Sequence, residues 1–231
     1  MLKITLIAAA AVSMMAGAAS AAPLYDNGPV NGNLDGFTIS SGYSVADSFT
    51  ALDGSTVSSV DFAAFLFPAD TMQTVDWTIS SGNPFDGGTT IASGTSATAG
   101  TFLFNDNYGY DIDNESFSVG AVTLTGGDYY LSLANVTTAQ GNDSYWDENN
   151  GPSAAFQNGN GLTDYSLANY DIPGTTGSET FSINGTAPAV SAAPEPGTWA
   201  LMFGGIAMIG GMLRIANARR RENEVAGIAT A

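Results

Sequence analysis

The 231-residue chain contains no cysteine and no histidine. Without cysteine there is no disulfide framework, and without either residue the usual zinc, haem and thiol chemistries lack their ligands and nucleophiles. A Ser/His/Asp triad cannot be assembled, and any general acid or base must be Asp, Glu, Tyr or Lys. Positive charge is nearly as scarce, because the five basic residues are Lys3, Arg214, Arg219, Arg220 and Arg221. Residues 22–193 therefore carry none, whereas only Glu195, Glu222 and Glu224 of the 22 acidic residues lie outside that segment. The 19 carboxylates inside it have no side-chain cation to pair with. Such a surface repels phosphate backbones, which argues against nucleic-acid binding, and keeps the protein soluble by self-repulsion. Long helical periodicity is also missing between Ala22 and Ala193, where no stretch of ten residues sustains an apolar face at helical spacing.

What is there begins with "MLKITLIAAAAVSMMAGAASAAP". Lys3, an apolar run from Ile4 to about Ala16 and small residues at Ala19 and Ala21 read as a secretory signal peptide over 1–21. The apolar run is short for a retained spanning helix. Cleavage after Ala21 avoids leaving Pro23 as the new N-terminus. Downstream, "VSSVDFAAFLF", "TVDWTIS", "ESFSVGAVTL", "DYYLSLANV" and "ETFSIN" are short, apolar and punctuated by turn signals such as "DNG", "LDG", "TGGD" and "NGNG". Val75, Trp77 and Ile79 alternate with Thr74, Asp76 and Thr78, and Tyr129, Leu131 and Leu133 fall opposite Tyr130, Ser132 and Ala134. Residues 22–186 are thus expected to form an all-β antiparallel sandwich or jelly-roll-like domain. A β-helix is the runner-up, although no fixed-period repeat supports it.

Two constellations inside this domain invite a function. "YGYDIDNESFS" brings Asp111, Asp113, Asn114 and Glu115 together as oxygen donors for calcium, but without the fixed Gly and distal Glu of an EF-hand loop. A turn joining two strands explains it as well, so no metal or other cofactor is assigned. "DSYWDENNGPSAAFQNGNGL" is the least strand-like stretch, and it sets Tyr145 and Trp146 beside Asp147, Glu148, Asn149 and Asn150. Aromatic faces next to carboxylates and amides suit sugar rings. A surface loop anchored by Trp146 in the core has the same composition and is the preferred reading. Asp147 and Glu148 are adjacent, so on extended backbone they diverge and make a poor acid/base pair across a glycosidic bond. No catalytic residue is assigned, and the domain is expected to be no enzyme. Asn-x-Ser/Thr triplets at Asn114, Asn135, Asn142 and Asn184 are what chance yields in a chain this rich in those residues.

At "NGTAPAVSAAPEP" the composition turns to Ala, Pro and Ser, marking 187–193 as a linker. Trp199 to Leu213 is an apolar run of 15 residues broken only by glycines, and with Ile215 and Ala216 it makes a short transmembrane helix over about 199–216 if Arg214 snorkels. Trp199 suits the outer interface, and Arg219, Arg220 and Arg221 the cytoplasmic side, followed by a tail over 222–231.

The whole of "PEPGTWALMFGGIAMIGGMLRIANARRR", residues 194–221, closely resembles the PEP-CTERM sorting signal of Gram-negative bacteria. The likeness is carried by Pro194, Glu195, Pro196, Thr198, Trp199, Ala200, the glycine-containing helix and Arg219 to Arg221. It implies recognition by an exosortase, a membrane-embedded cysteine protease/transpeptidase that cuts near the motif and releases or re-anchors the passenger outside the inner membrane. The two prolines keep the segment extended and unable to continue the helix, which suits a cleavable strand at the membrane surface. Arg214 inside the helix and the tail "ENEVAGIATA" depart from the family's pattern. "VADSFT", "DWTIS", "DYYLSLANV", "YWDENNGPS" and "ETFSING" more loosely resemble the uncharacterised β-rich passengers that precede such signals. The resemblance implies a non-catalytic exported protein, a precursor in the inner membrane and a mature form at the cell surface or in an exopolysaccharide or biofilm matrix. Signal peptidase and exosortase are the partners it implies during processing, with exopolysaccharide a further one. The alternative is a carbohydrate-binding module or glycan-active enzyme using Tyr145, Trp146, Asp147, Glu148 and Asn149.

Overall fold

A computed structural model describes residues 22–32, 35–106, 108–167 and 177–188, together with Phe203. The chain divides into two compact units, Met1–Pro188 and Ala189–Ala231. The expected signal peptide, and the sorting signal from Pro194 to Arg221 apart from Phe203, lie outside the described residues. Among the described residues no helix is long and apolar enough to cross a membrane.

Thirteen strands are described in the first unit. The first six are β1 (Tyr25–Asp26), β2 (Gly36–Thr38), β3 (Tyr43–Ala51), β4 (Ser55–Leu66), β5 (Met72–Ser81) and β6 (Thr89–Asn105). There follow β7 (Asp111–Leu124), β8 (Gly127–Thr138), β9 (Tyr145–Asn149), β10 (Ala155–Gly159), β11 (Leu162–Ser166), β12 (Ser178–Glu179) and β13 (Phe181–Thr186). The alternation read from the sequence is what fixes them: Val75, Trp77 and Ile79 are buried while Thr74, Asp76 and Thr78 stay partly exposed, and Tyr129, Leu131 and Leu133 are buried along β8. Each such aliphatic or aromatic side chain contributes about 1.5–3 kcal/mol on full burial.

The strands join in the order β1-β13-β4-β7-β6-β5-β8-β3-β10-β11, with β9 pairing with β2, β4 and β12. Every described pairing is antiparallel, which separates the fold from a parallel β-helix. The ladder is continuous and curls back on itself through β6, whose first half pairs with β5 up to Ala97 and whose second half pairs with β7 from Thr98. Strands remote in the ladder consequently face each other. The rings of Tyr25 in β1 and Phe49 in β3 lie 6.0 Å apart, and between neighbouring strands Phe62 of β4 meets Trp146 of β9 edge to face at 6.0 Å. The result is an all-β, sandwich-like curled sheet around one core that includes Val60, Phe62, Leu131, Trp146 and Ile183.

Candidate functional site

The stretch expected to be a loop is strand β9. Its backbone pairs with β2 on one side and β12 on the other, with Phe37 opposite Trp146 and Glu179 opposite Glu148. Paired on both edges, β9 is an inner strand, and the layers packed on it bury every side chain but that of Tyr145. Trp146 is fully buried, packs edge to face on Phe181 at 5.6 Å and donates its indole N–H to the Thr180 carbonyl at 2.9 Å. Asp147, Glu148 and Asn149 are buried too. Asp147 Oδ2 accepts the Thr180 hydroxyl at 2.6 Å, and Asn149 Nδ2 donates to the carbonyls of Asn27 at 2.9 Å and Gly28 at 3.2 Å. Of the five side chains expected to touch a glycan, only Tyr145 is partly exposed. The divergence of Asp147 and Glu148 expected of extended backbone holds, yet both are out of water, at 2 % and 0 % exposure.

The same end of the sandwich encloses an acidic cluster. Asp35, Asp47, Asp147, Glu148 and Glu179 are all buried, and no Lys or Arg exists anywhere in residues 22–193 to neutralise them. Asp47 is the best satisfied: its Oδ2 accepts from the Glu179 N–H and the Ser153 hydroxyl, both at 2.7 Å, and its Oδ1 from the Ser48 N–H at 2.6 Å. Burial still pushes its carboxyl up to about 7, against the pull of those donors. Burial does the same to Asp147, also to about 7, with the charge of Asp35 adding to it. Glu179 is raised well above the usual range, first by burial and then by Glu148, Asp47, Asp147 and Asp35. Asp70 shows what donors do in sufficient number. Burial would raise it, but the amides of Gln140 and Thr71 and the side chains of Thr138 and Asn142 hold it low.

Asn27 knits this cluster together. Its Nδ2 lies 2.6 Å from Ser153 Oγ, 2.7 Å from Ser178 Oγ, 2.6 Å from the Glu179 carbonyl and 3.4 Å from Asp47 Oδ2. An amide thus fills the place among oxygens that a lysine would take in a charge-balanced protein. Gly151 closes the cluster, because a Cβ there would stand 2.4 Å from the Asn27 carbonyl and 2.6 Å from Ser178 Oγ.

On the outer side of β9 a cavity of about 230 Å³ is lined by Asp35, Gly36, Phe65, Tyr110 and Tyr145. Tyr110 stands edge to face against Phe65, Phe67 and Tyr145, at 6.3, 5.2 and 6.2 Å. Gly36 lets the wall come this close, since a Cβ there would lie 2.7 Å from the Trp146 carbonyl and 3.0 Å from the Phe65 ring. Asp111 and Asp113 lie apart from the acidic cluster, on β7. Asp111 accepts from the Ala69 N–H at 3.0 Å and from Asn105 Nδ2, and Asp113 is raised by burial and by the charge of Asp111. Among the described residues no group of three or more acidic side chains is disposed to hold a metal ion.

No family model and no curated protein sequence matches this chain.

Asn27, Asp47, Ser153, Ser178 and Glu179 were not among the candidates read from the sequence, yet a signal for the acids was present. Asp35, Asp47, Glu115 and Glu179 each stand two residues ahead of a phenylalanine, in "DGF", "DSF", "ESF" and "ETF". On a strand, residues two apart share a face. Phe37, Phe49, Phe117 and Phe181 are all core residues, so each acid is carried inward in phase with its aromatic neighbour.

Proposed function

We propose that the protein is an exported, non-catalytic surface or matrix protein, sorted by an exosortase through residues 194–221. The observation that carries this reading is the conjunction of Pro194–Glu195–Pro196, the short apolar run opening with Trp199 and Ala200, and Arg219–Arg221, which follow a domain devoid of basic residues. An anionic β-domain with no His, no Cys and no Lys or Arg has few means of catalysis and ample solubility outside the cell. Mass spectrometry of the mature protein from its native host tests the reading. The expected product begins near Ala22 and ends near Pro194–Pro196. Recovery of a mature chain that retains Trp199 to Arg221, in a host with an active exosortase, contradicts it.

A glycan-binding role is the second reading, and a specific observation favours it: the cleft of Phe65, Tyr110 and Tyr145 with Asp35 at its wall and Phe67 beside it. Partly exposed tyrosines bordering a cavity of this size offer a stacking surface and hydroxyls to a sugar. A glycan array on the mature protein decides this reading, with Tyr110→Ala abolishing any true signal and an array blank for every glycan refuting it.

A further inference from the structure

Strand β12 is two residues long and sits on β9 with Glu179 directly opposite Glu148. Side chains at directly opposed positions of an antiparallel pair lie on the same face about 4.5–5.5 Å apart at Cβ, and like charges there are destabilising. Here both acids are fully buried. The register continues one strand further, because Gly36 faces Asp147 and the Glu148 N–H donates to the Asp35 carbonyl at 2.9 Å. Asp35, Glu148 and Glu179 thus form a row across β2, β9 and β12. The row lies one step along from the aromatic row of Phe37, Trp146 and Phe181. From the facing layer β3 contributes Asp47, and the outer face of β9 contributes Asp147. These are the charged groups around Glu179, and all are acids.

Asp47 and Glu179 differ in one respect that decides their behaviour. Asp47 accepts hydrogen bonds from main-chain and hydroxyl donors, whereas among the described residues both buried carboxyl oxygens of Glu179 find no hydrogen-bond donor. An ionised carboxylate so placed costs far more than the docking of a two-residue strand returns, and the group escapes that cost by holding its proton. With the proton removed, the cheapest relief is local opening and not global unfolding. What ties β12 and Thr180 down is polar throughout: the Glu179 N–H to Asp47, the Thr180 N–H to the Asp147 carbonyl at 2.7 Å, the Asn27 amide to the Glu179 carbonyl and Ser178 hydroxyl, the Ser178 hydroxyl to Asn149 Oδ1 at 3.0 Å, the Thr180 hydroxyl to Asp147, and the Trp146 indole and Ala63 N–H to the Thr180 carbonyl, all of them bonds that water can replace once the strand lifts.

We propose that Glu179 is a proton-operated catch: protonated, it lets β12 lie on β9 inside the acidic end of the sandwich, and deprotonated, it expels β12 and exposes the acidic cluster. The switch acts toward alkaline pH, the reverse of the acid-triggered opening that paired carboxylates produce. It needs no partner and stands whether or not the chain is exported.

Hydrogen exchange of the full chain in mild detergent, followed by mass spectrometry from pH 5 to 9 and corrected for intrinsic rates, tests the proposal. Protection of the peptide covering 178–181 should fall at least about tenfold at the alkaline end relative to a peptide from β4, as expected for one proton released per opening. In Glu179→Gln, which keeps the size and removes the charge, that ratio should stay flat. In Glu148→Gln the fall should be smaller and level off at lower pH, because a neutral neighbour no longer repels the ionised form of Glu179 and the closed state tolerates it better. A flat ratio in the unmodified protein overturns the proposal, as does an undiminished fall in Glu179→Gln. If Glu179→Gln lacks the β-sheet circular dichroism of the parent, the Glu148→Gln profile decides, and a fall as large as the parent's overturns the proposal.

Discussion

Trp146 separates a core residue from a ligand contact, and the two roles predict different outcomes for one substitution. Trp146→Phe keeps an aromatic ring but removes the indole N–H that reaches the Thr180 carbonyl, and it shrinks the ring wedged between Phe62 and Phe181. The carbonyl keeps one donor, the Ala63 N–H at 3.3 Å, so the lost hydrogen bond costs about 1 kcal/mol and not the full desolvation of an orphaned group. At about 24 cal/mol per Å³ of cavity, the few tens of Å³ removed add about 1 kcal/mol. The total of about 2 kcal/mol lowers Tm by about 4–8 °C in a domain of this size. Trp146→Ala should cost about 4–6 kcal/mol, adding the hydrogen bond to the usual 3–5 for a buried aromatic, which approaches the whole stability of an ordinary domain. Urea unfolding followed by far-UV circular dichroism measures both. A surface tryptophan waiting for a sugar would be silent in this assay, so a Trp146→Phe protein within about 0.5 kcal/mol of the parent would refute the buried, hydrogen-bonded placement.

The pH dependence should run opposite to that of most proteins. Asp47 and Asp147 are raised to about 7 in the folded state from 3.8, so the stability they provide is complete below pH 3.8 and is lost as pH rises towards 7. Each group is worth up to about 1.4 kcal/mol per pH unit in that window, and urea midpoints at pH 5, 6, 7 and 8 should fall in that order; a midpoint that rises with pH removes the argument. Asn27→Ala should destabilise by about 2–4 kcal/mol, because it removes the two N–H donors that two serine hydroxyls, the Glu179 carbonyl and Asp47 share, and a urea midpoint within error of the parent would count against the network. Sodium chloride should raise Tm, since 19 carboxylates without a basic partner repel one another and screening shortens to about 10 Å at 0.1 M salt; an unchanged Tm between low and high salt would contradict this.

How much of this was legible beforehand depended on whether a residue obeyed a local rule. The alternation in "TVDWTIS" and "DYYLSLANV" is a rule of neighbours, and it placed Val75, Trp77, Leu131 and Leu133 inward without any knowledge of the fold. "DSYWDENN" followed no such rule, because its acids and amides look like loop chemistry. Only pairing with β2 and β12, more than a hundred residues away on one side and about thirty on the other, turns it into an inner strand. The buried cluster was hidden for a related reason. Asp47 and Glu179 carry the correct phase for burial, but an isolated acid in a strand reads as polar until a serine and an asparagine from elsewhere are seen to meet it. The aromatic cleft shows the same dependence, since Phe65, Tyr110 and Tyr145 come from separate stretches of chain that only register brings together.

Asn27 also sets a timetable. Its amide is completed by Ser153, Ser178 and Glu179, which lie 126, 151 and 152 residues further along the chain. A ribosome adding about 5–20 residues per second needs on the order of ten seconds or more to deliver them. Throughout that interval β1 has no partner, because β13, the strand it pairs with, is the last to emerge. Closure must then wait for a loop spanning nearly the whole domain, and contacts of such long range form slowly. The ladder of β3 to β8 has all its partners once Thr138 is made, but the acidic end around Asn27 cannot lock until β12 and β13 follow.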